Sequence, residues 1–148
     1  MASLIEKLPL TDKRQEIVSD CCSLLDSEVK KKTGLKGLLV KGGYKVLKAI
    51  KPGAVREAVN GLLDDFLQAL EPFHTDFEKK ASGTFGQSIK GRISEVAEAL
   101  VQVTDRKAKN SKHKGLAKMY KKMRPSAINN VAEAIPGLAD LMDKHYLS

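Results

Sequence analysis

Apolar residues recur along this chain at intervals of three and four, the spacing of one face of an α-helix, and no stretch alternates with the period of two that marks a strand. Leu4, Ile5 and Leu8 make a short amphipathic start that Pro9 ends. Thr11 can cap a helix carrying Ile17, Val18, Cys21, Cys22, Leu25 and Val29 on one face, closed near Gly34. The next helix holds Leu35, Leu38, Leu39, Gly42, Gly43, Val46, Leu47 and Ile50, with two glycines in its apolar stripe, and Lys51-Pro52-Gly53 breaks the chain after it. A further helix carries Val55, Val59, Leu62, Leu63, Phe66, Leu67 and Leu70 and is expected to end at Pro72, with Phe73 to Lys80 as a connector.

Thr84 with Gln87 has the form of a capping box. The helix it opens is predicted to carry Phe85, Ile89, Ile93, Val96, Leu100 and Val103. After a bend at Asn110-Ser111 comes a basic helix with Leu116, Met119, Tyr120 and Met123. Pro125-Ser126 is expected to start another, with Ile128, Val131 and Ile135, and Pro136-Gly137 to separate off a last one with Leu138, Leu141 and Met142. Six to seven short-looped helices predict an all-α antiparallel bundle, one domain over residues 1–148. Its stripes suit either a filled core or an enclosed apolar cavity.

Composition narrows the class. A content of 42% hydrophobic and 30% charged residues fits a folded globular chain, and the apolar runs are too short to span a bilayer. The first residues show no basic segment leading into an apolar stretch, so no signal peptide is expected. Cys21 and Cys22 are neighbours that point apart on a helix, so they read as small core residues in a reducing, cytoplasmic setting.

Charge changes the picture most. Residues 105–124 hold nine cations (Arg106, Lys107, Lys109, Lys112, Lys114, Lys118, Lys121, Lys122 and Arg124) and one acid, Asp105. Nine less one is the +8 of the whole chain, so the remaining residues balance. A field this concentrated attracts phosphate, on a lipid or on a nucleic acid. Arg106, Lys107, Lys114, Lys118 and Lys121 are the candidate basic surface. A second cluster, Lys41, Lys45 and Lys48, lies within a sector of roughly 60° beside Tyr44 and borders the glycine-bearing stripe. Long cations along an apolar face suit an amphiphile whose head stays near the lysines. An ordinary amphipathic helix, with glycines for close packing, has the same pattern.

Other chemistry finds little support. His74, His113 and His145 have no second ligand at metal spacing, and no nucleophile–base arrangement, phosphate loop or carboxylate pair stands out. No enzyme activity, metal or cofactor is expected. The chain has no Trp and 5% aromatic residues, which disfavours base stacking.

Several of these residues resemble the TIPE family of lipid-transfer proteins. Leu100-Val101-Gln102-Val103, Arg106 and His113 stand in the order of a Leu-x-Gln-Ile element, an Arg and a Ser-His element in that family, here interrupted as Ser111-Lys112-His113. Tyr44-Lys45-Val46-Leu47-Lys48 looks like the family's Lys-studded second helix, and Phe73-His74 like its Phe-His. The likeness covers about two thirds of the chain, which is shorter than the family at its N-terminal helix. The chain also looks like small bacterial all-helical proteins with no named activity. The TIPE resemblance implies a bundle around a deep apolar cavity, with basic residues at its mouth holding a phosphorylated head group of the phosphoinositide kind.

The expected function is therefore non-enzymatic binding or transfer of an anionic phospholipid, peripheral at membranes. Lys41, Lys45, Lys48 and Tyr44 would hold the head group. Leu39, Gly42, Gly43, Val46, Leu63, Phe66, Leu67, Ile93, Leu100, Met119 and Tyr120 would line the cavity. The alternatives are a nucleic-acid-binding protein using residues 106–124 and an interaction scaffold with a filled core, its protein partner unknown.

Overall fold

The computed structural model describes residues 2–80 and 82–147, apart from the side chain of Lys36. The described residues form seven helices and no strand: α1 (Leu4–Lys7), α2 (Arg14–Lys31), α3 (Gly34–Ile50), α4 (Ala54–Lys80), α5 (Phe85–Lys90), α6 (Ile93–Lys109) and α7 (Lys114–His145). The all-α expectation holds, but the chain is divided differently. Pro72 lies inside α4, and Pro125 and Pro136 lie inside α7, where breaks were predicted. All three prolines are exposed. A proline on the outer face leaves the carbonyl four residues earlier to water, and the helix bows around the core instead of stopping.

The segment predicted as one helix from Phe85 to Val103 is two, divided at Gly91-Arg92. That break turns Arg92 back onto α4, where it pairs with Asp76 (2.9 Å) and lies over the Phe73 ring (4.6 Å). The Thr84–Gln87 capping box is present, and an unpredicted one, Ser3–Glu6, opens α1. Lys13, not Thr11, precedes α2 as its cap residue. Gly34, with φ +74°, opens α3 after the turn in which α2 ends.

One core joins α1, α2, α4, α5, α6 and the C-terminal half of α7. Leu63, Leu67, Phe85, Val96, Leu100 and Ile135 are at its centre. Gly86 lets α5 sit against α7: a Cβ there would lie 2.6 Å from the Ala139 carbonyl oxygen. The Gly86 N–H donates to Asp143 (2.8 Å).

The two ends of the described chain meet on α4. Leu4 N–H donates to Glu71 (2.9 Å), Leu147 N–H donates to the Lys7 carbonyl (2.7 Å), and the Tyr146 hydroxyl bonds the buried His74 ring (2.7 Å). No residue of α3, and none of α7 before Val131, belongs to this core. The basic half of the molecule is thus an annex to the bundle.

Candidate functional site

The annex is built from α3 and the first half of α7. Gly42 faces Met119, Gly43 faces Met123 and Val46 faces Gly115, so the two helices run antiparallel. A Cβ on Gly43 would lie 2.7 Å from the Met123 sulfur, and one on Gly42 3.4 Å from the Met119 methyl. The glycines therefore admit methionines of α7, flexible side chains suited to filling irregular gaps.

The positions expected to line a cavity are accounted for in this way. Leu63, Leu67 and Leu100 are buried in the main core, and Phe66 and Ile93 pack against it. Gly42, Gly43, Val46 and Met119 form the α3–α7 seam, where Leu39 is half-buried on the same helix. Tyr120 turns to α6, bonding Thr104 (2.8 Å) and Asp105.

Two concavities lie elsewhere. One is a shallow apolar shelf of about 540 Å³, bounded by Lys32 and Lys41 and including Leu35 and Leu38. The other is a polar cleft of about 280 Å³ between the α2–α3 turn and α7, lined by Thr33, Ser126, Asn129 and Asn130 with Lys31, Lys32 and Glu133. Its two lysines are already paired, Lys31 with Glu28 (2.9 Å) and Lys32 with Glu133. Neither concavity touches a residue expected to line the cavity.

Lys41, Lys45 and Lys48 are all exposed. At 100° per residue, with Gly42 facing α7, they point to one side of the seam together with Leu38. On α7, with Met119 facing α3, Lys114, Lys118, Lys121 and Lys122 point outward on one side. In an antiparallel pair these two sectors open in the same direction, so the lysines of both helices share one face. None of these seven lysines has an ion-pair partner among the described residues, in contrast to Lys30, Lys51 and Lys90 elsewhere. Neither α3 nor the stretch 114–124 contains an acid.

Helix electrostatics sharpen the contrast. Arg106, Lys107 and Lys109 close α6, where cations meet the negative end of the helix dipole. Lys114 instead opens α7, whose first turn has no acid, so it sits at the positive end. His113 caps that end, its Nδ1 accepting the Leu116 N–H (3.2 Å).

Other candidates fall away from this face. Tyr44 turns toward α2, its hydroxyl 3.4 Å from Asp26, with the Lys48 ammonium over its ring (4.5 Å). Burial, with Asp26 beside it, pushes the Tyr44 hydroxyl above the usual tyrosine range. Lys107 is tied to Asp65 of α4 (3.0 Å) and Arg124 to Asp105 (2.8 Å). Arg106 is exposed on α6, which packs on another side of α7. The sequence reading missed Leu35 and Leu38, whose spacing places them in a stripe but which are 84% and 66% exposed.

Comparison with known proteins adds a family. A family model matches residues 4–146, nearly the whole chain. The chain belongs to DUF6918, a family of unknown function. The DUF6918 match spans all seven helices, the annex included. No curated protein and no solved structure matches. Among the described residues no helix is long and apolar enough to cross a membrane, and no cluster of His, Cys, Asp or Glu converges as metal ligands.

Proposed function

We propose that this protein binds anionic phospholipid non-enzymatically, by docking the α3–α7 lysine face on a membrane surface. The observation that carries the reading is the set of seven exposed lysines on one face, unpaired and with no acid on the elements that bear them. Like charges gathered without counter-ions repel one another and are relieved by an external polyanion. Each basic residue near an anionic membrane contributes about 1 kcal/mol.

Lipid is favoured over nucleic acid by the neighbours of these lysines. The Tyr44 and Tyr120 rings are engaged inside the protein, which leaves no aromatic platform for bases. Leu38, on the side of these lysines, and Leu35, on the seam line about one turn earlier, are also exposed. The TIPE resemblance points to the same ligand class. The methionines packed against Gly42 and Gly43 favour a surface site over one inside the bundle.

Cosedimentation with vesicles tests the reading. The protein should pellet with phosphatidylserine-containing vesicles, stay in solution with pure phosphatidylcholine, and be released by salt. Binding to duplex DNA that persists near physiological salt, with none to anionic vesicles, would transfer the face to nucleic acid.

A further inference from the structure

The lysine face is not uniform along its length. On α3 the lysines at 41, 45 and 48 follow Leu35 and Leu38. On α7 the cations end at Arg124, and residues 125–132 carry no charge. Because the helices are antiparallel, the uncharged part of α7 lies beside the leucine end of α3. Lys32 of the α2–α3 turn pairs there with Glu133 of α7, which fixes the register. One end of the face carries the unpaired lysines. At the other the exposed leucines, with Lys36 between them in the sequence, lie beside the uncharged stretch of α7, with Lys32 paired to Glu133.

The leucines stand apart from the other apolar side chains. Leu35 and Leu38 are 84% and 66% exposed, whereas Ile5, Ile128 and Leu147 reach at most 46%. They flank the shallow apolar shelf, with Lys41 at its margin. The backbone between them packs closely on the preceding turn. Gly37 lies so close to the preceding turn that a Cβ would come within 2.8 Å of the Lys32 carbonyl carbon. Two bare leucines on α3, next to a column of unpaired lysines, match the layering of an anionic leaflet, with phosphate outside and hydrocarbon beneath.

We infer that the docked protein is tilted, with the N-terminal end of α3 pushed between the lipids so that Leu35 and Leu38 reach the acyl chains while Lys41, Lys45 and Lys48 stay at the phosphates. This inference rests on the surface-docking reading above, and it adds a salt-resistant apolar contribution to it. The occupant of the shelf is the acyl region of an anionic leaflet, selected by the adjoining cations.

The chain contains no Trp, so a single introduced Trp reports depth without background. Leu38→Trp and Lys48→Trp are compared on phosphatidylcholine–phosphatidylserine vesicles with and without brominated acyl chains, while sedimentation records binding independently. The expected result is blue-shifted, bromine-quenched emission from Leu38→Trp and little quenching from Lys48→Trp. The double variant Leu35→Ser with Leu38→Ser should bind these vesicles on the order of a hundred-fold more weakly. Its salt dependence should match that of the unmodified protein.

Sedimentation with no quenching at Leu38→Trp overturns the tilt and leaves the docking reading standing. Equal quenching at both positions also overturns the tilt. Failure of the unmodified protein to sediment overturns both. A concentration-dependent dimer that the double serine variant abolishes would assign the leucines to contact between copies and sink the inference. Both leucines are exposed, so thermal melts of the variants should match the parent, and a lowered melt would itself contradict their free placement.

Discussion

Converting Lys41, Lys45 and Lys48 together to Gln isolates the electrostatic part of the proposed docking. Each substitution removes one charge and keeps most of the stem. None of the three has an ion pair to lose among the described residues, so the folded protein should tolerate the change. The internal interactions lost are the Lys48 ammonium over the Tyr44 ring at 4.5 Å, worth about 0.5–1 kcal/mol at an exposed site, and the pull of the Lys48 charge on Asp26. At up to about 1 kcal/mol per residue near an anionic surface, three charges amount to about 3 kcal/mol, or roughly a hundred-fold in apparent Kd.

Net charge alone would weaken binding to any polyanion, so a matched control is needed. Lys13, Lys79 and Lys80 are exposed and off the α3–α7 face, at the start of α2 and the end of α4. Changing these three to Gln alters the formal charge equally. The assay is vesicle cosedimentation across a salt series, with urea melts of each variant. The α3 triple should lose affinity and flatten the salt slope, while the control triple should lose far less. Equal losses in the two triples would reduce the face to a net-charge effect. An unchanged α3 triple would refute the reasoning outright.

Packing and titration give further tests. Gly86→Ala places a Cβ about 2.6 Å from a backbone oxygen that cannot yield, and should destabilise the fold by about 1–3 kcal/mol in urea melts. Gly43→Ala meets only the flexible end of Met123 and gains helix propensity, so its net change should stay within about 1 kcal/mol. Burial, reinforced by Cys22 and Asp20, pushes the Cys21 thiol up to about 11. In a Cys22→Ser background its alkylation should be slow at neutral pH and accelerate as pH rises toward that value. Hydrogen bonds from His145 and then Lys144 hold Asp20 below the usual carboxylate range. A depressed folded pKa gives stability that is present above the unfolded value of about 4 and lost as pH falls through the lower folded value. Asp20→Asn should therefore melt below the parent at neutral pH and converge with it in strong acid.

Much of the helical pattern was legible because helix period and capping are local. Thr84 and Gln87 sit three residues apart, and the sequence alone places their reciprocal bonds. The proline breaks were misjudged because the outcome at Pro72, Pro125 and Pro136 depends on which side of the helix meets water, a tertiary fact. The stripe through Leu35 and Leu38 misled for a related reason. Spacing states which residues share a face, and only the partner helix decides how far along that face cover extends. Here Met119 and Met123 cover Gly42 and Gly43, and α7 offers nothing over the leucines. The Lys41–Lys45–Lys48 sector was readable from helical geometry, but its union with Lys118 and Lys122 required the antiparallel seam.

Three departures from local rules meet in the α3–α7 annex. Apolar side chains belong under cover, yet Leu35 and Leu38 are bare. Cations belong at helix C-termini, yet Lys114 opens α7 with no acid in the first turn. Many charges of the main bundle are matched, as Arg14 with Asp64 and Lys144 with Asp20, whereas among the described residues none of the seven annex lysines is. Bare leucines lower stability through hydration of apolar surface, and unmatched lysines through repulsion, so one breach does not cause the other. Both fall on the α3–α7 pair, outside the main core, where their removal would leave the bundle's packing intact. A surface that meets both hydrocarbon and phosphate relieves the two together, and an anionic leaflet is such a surface.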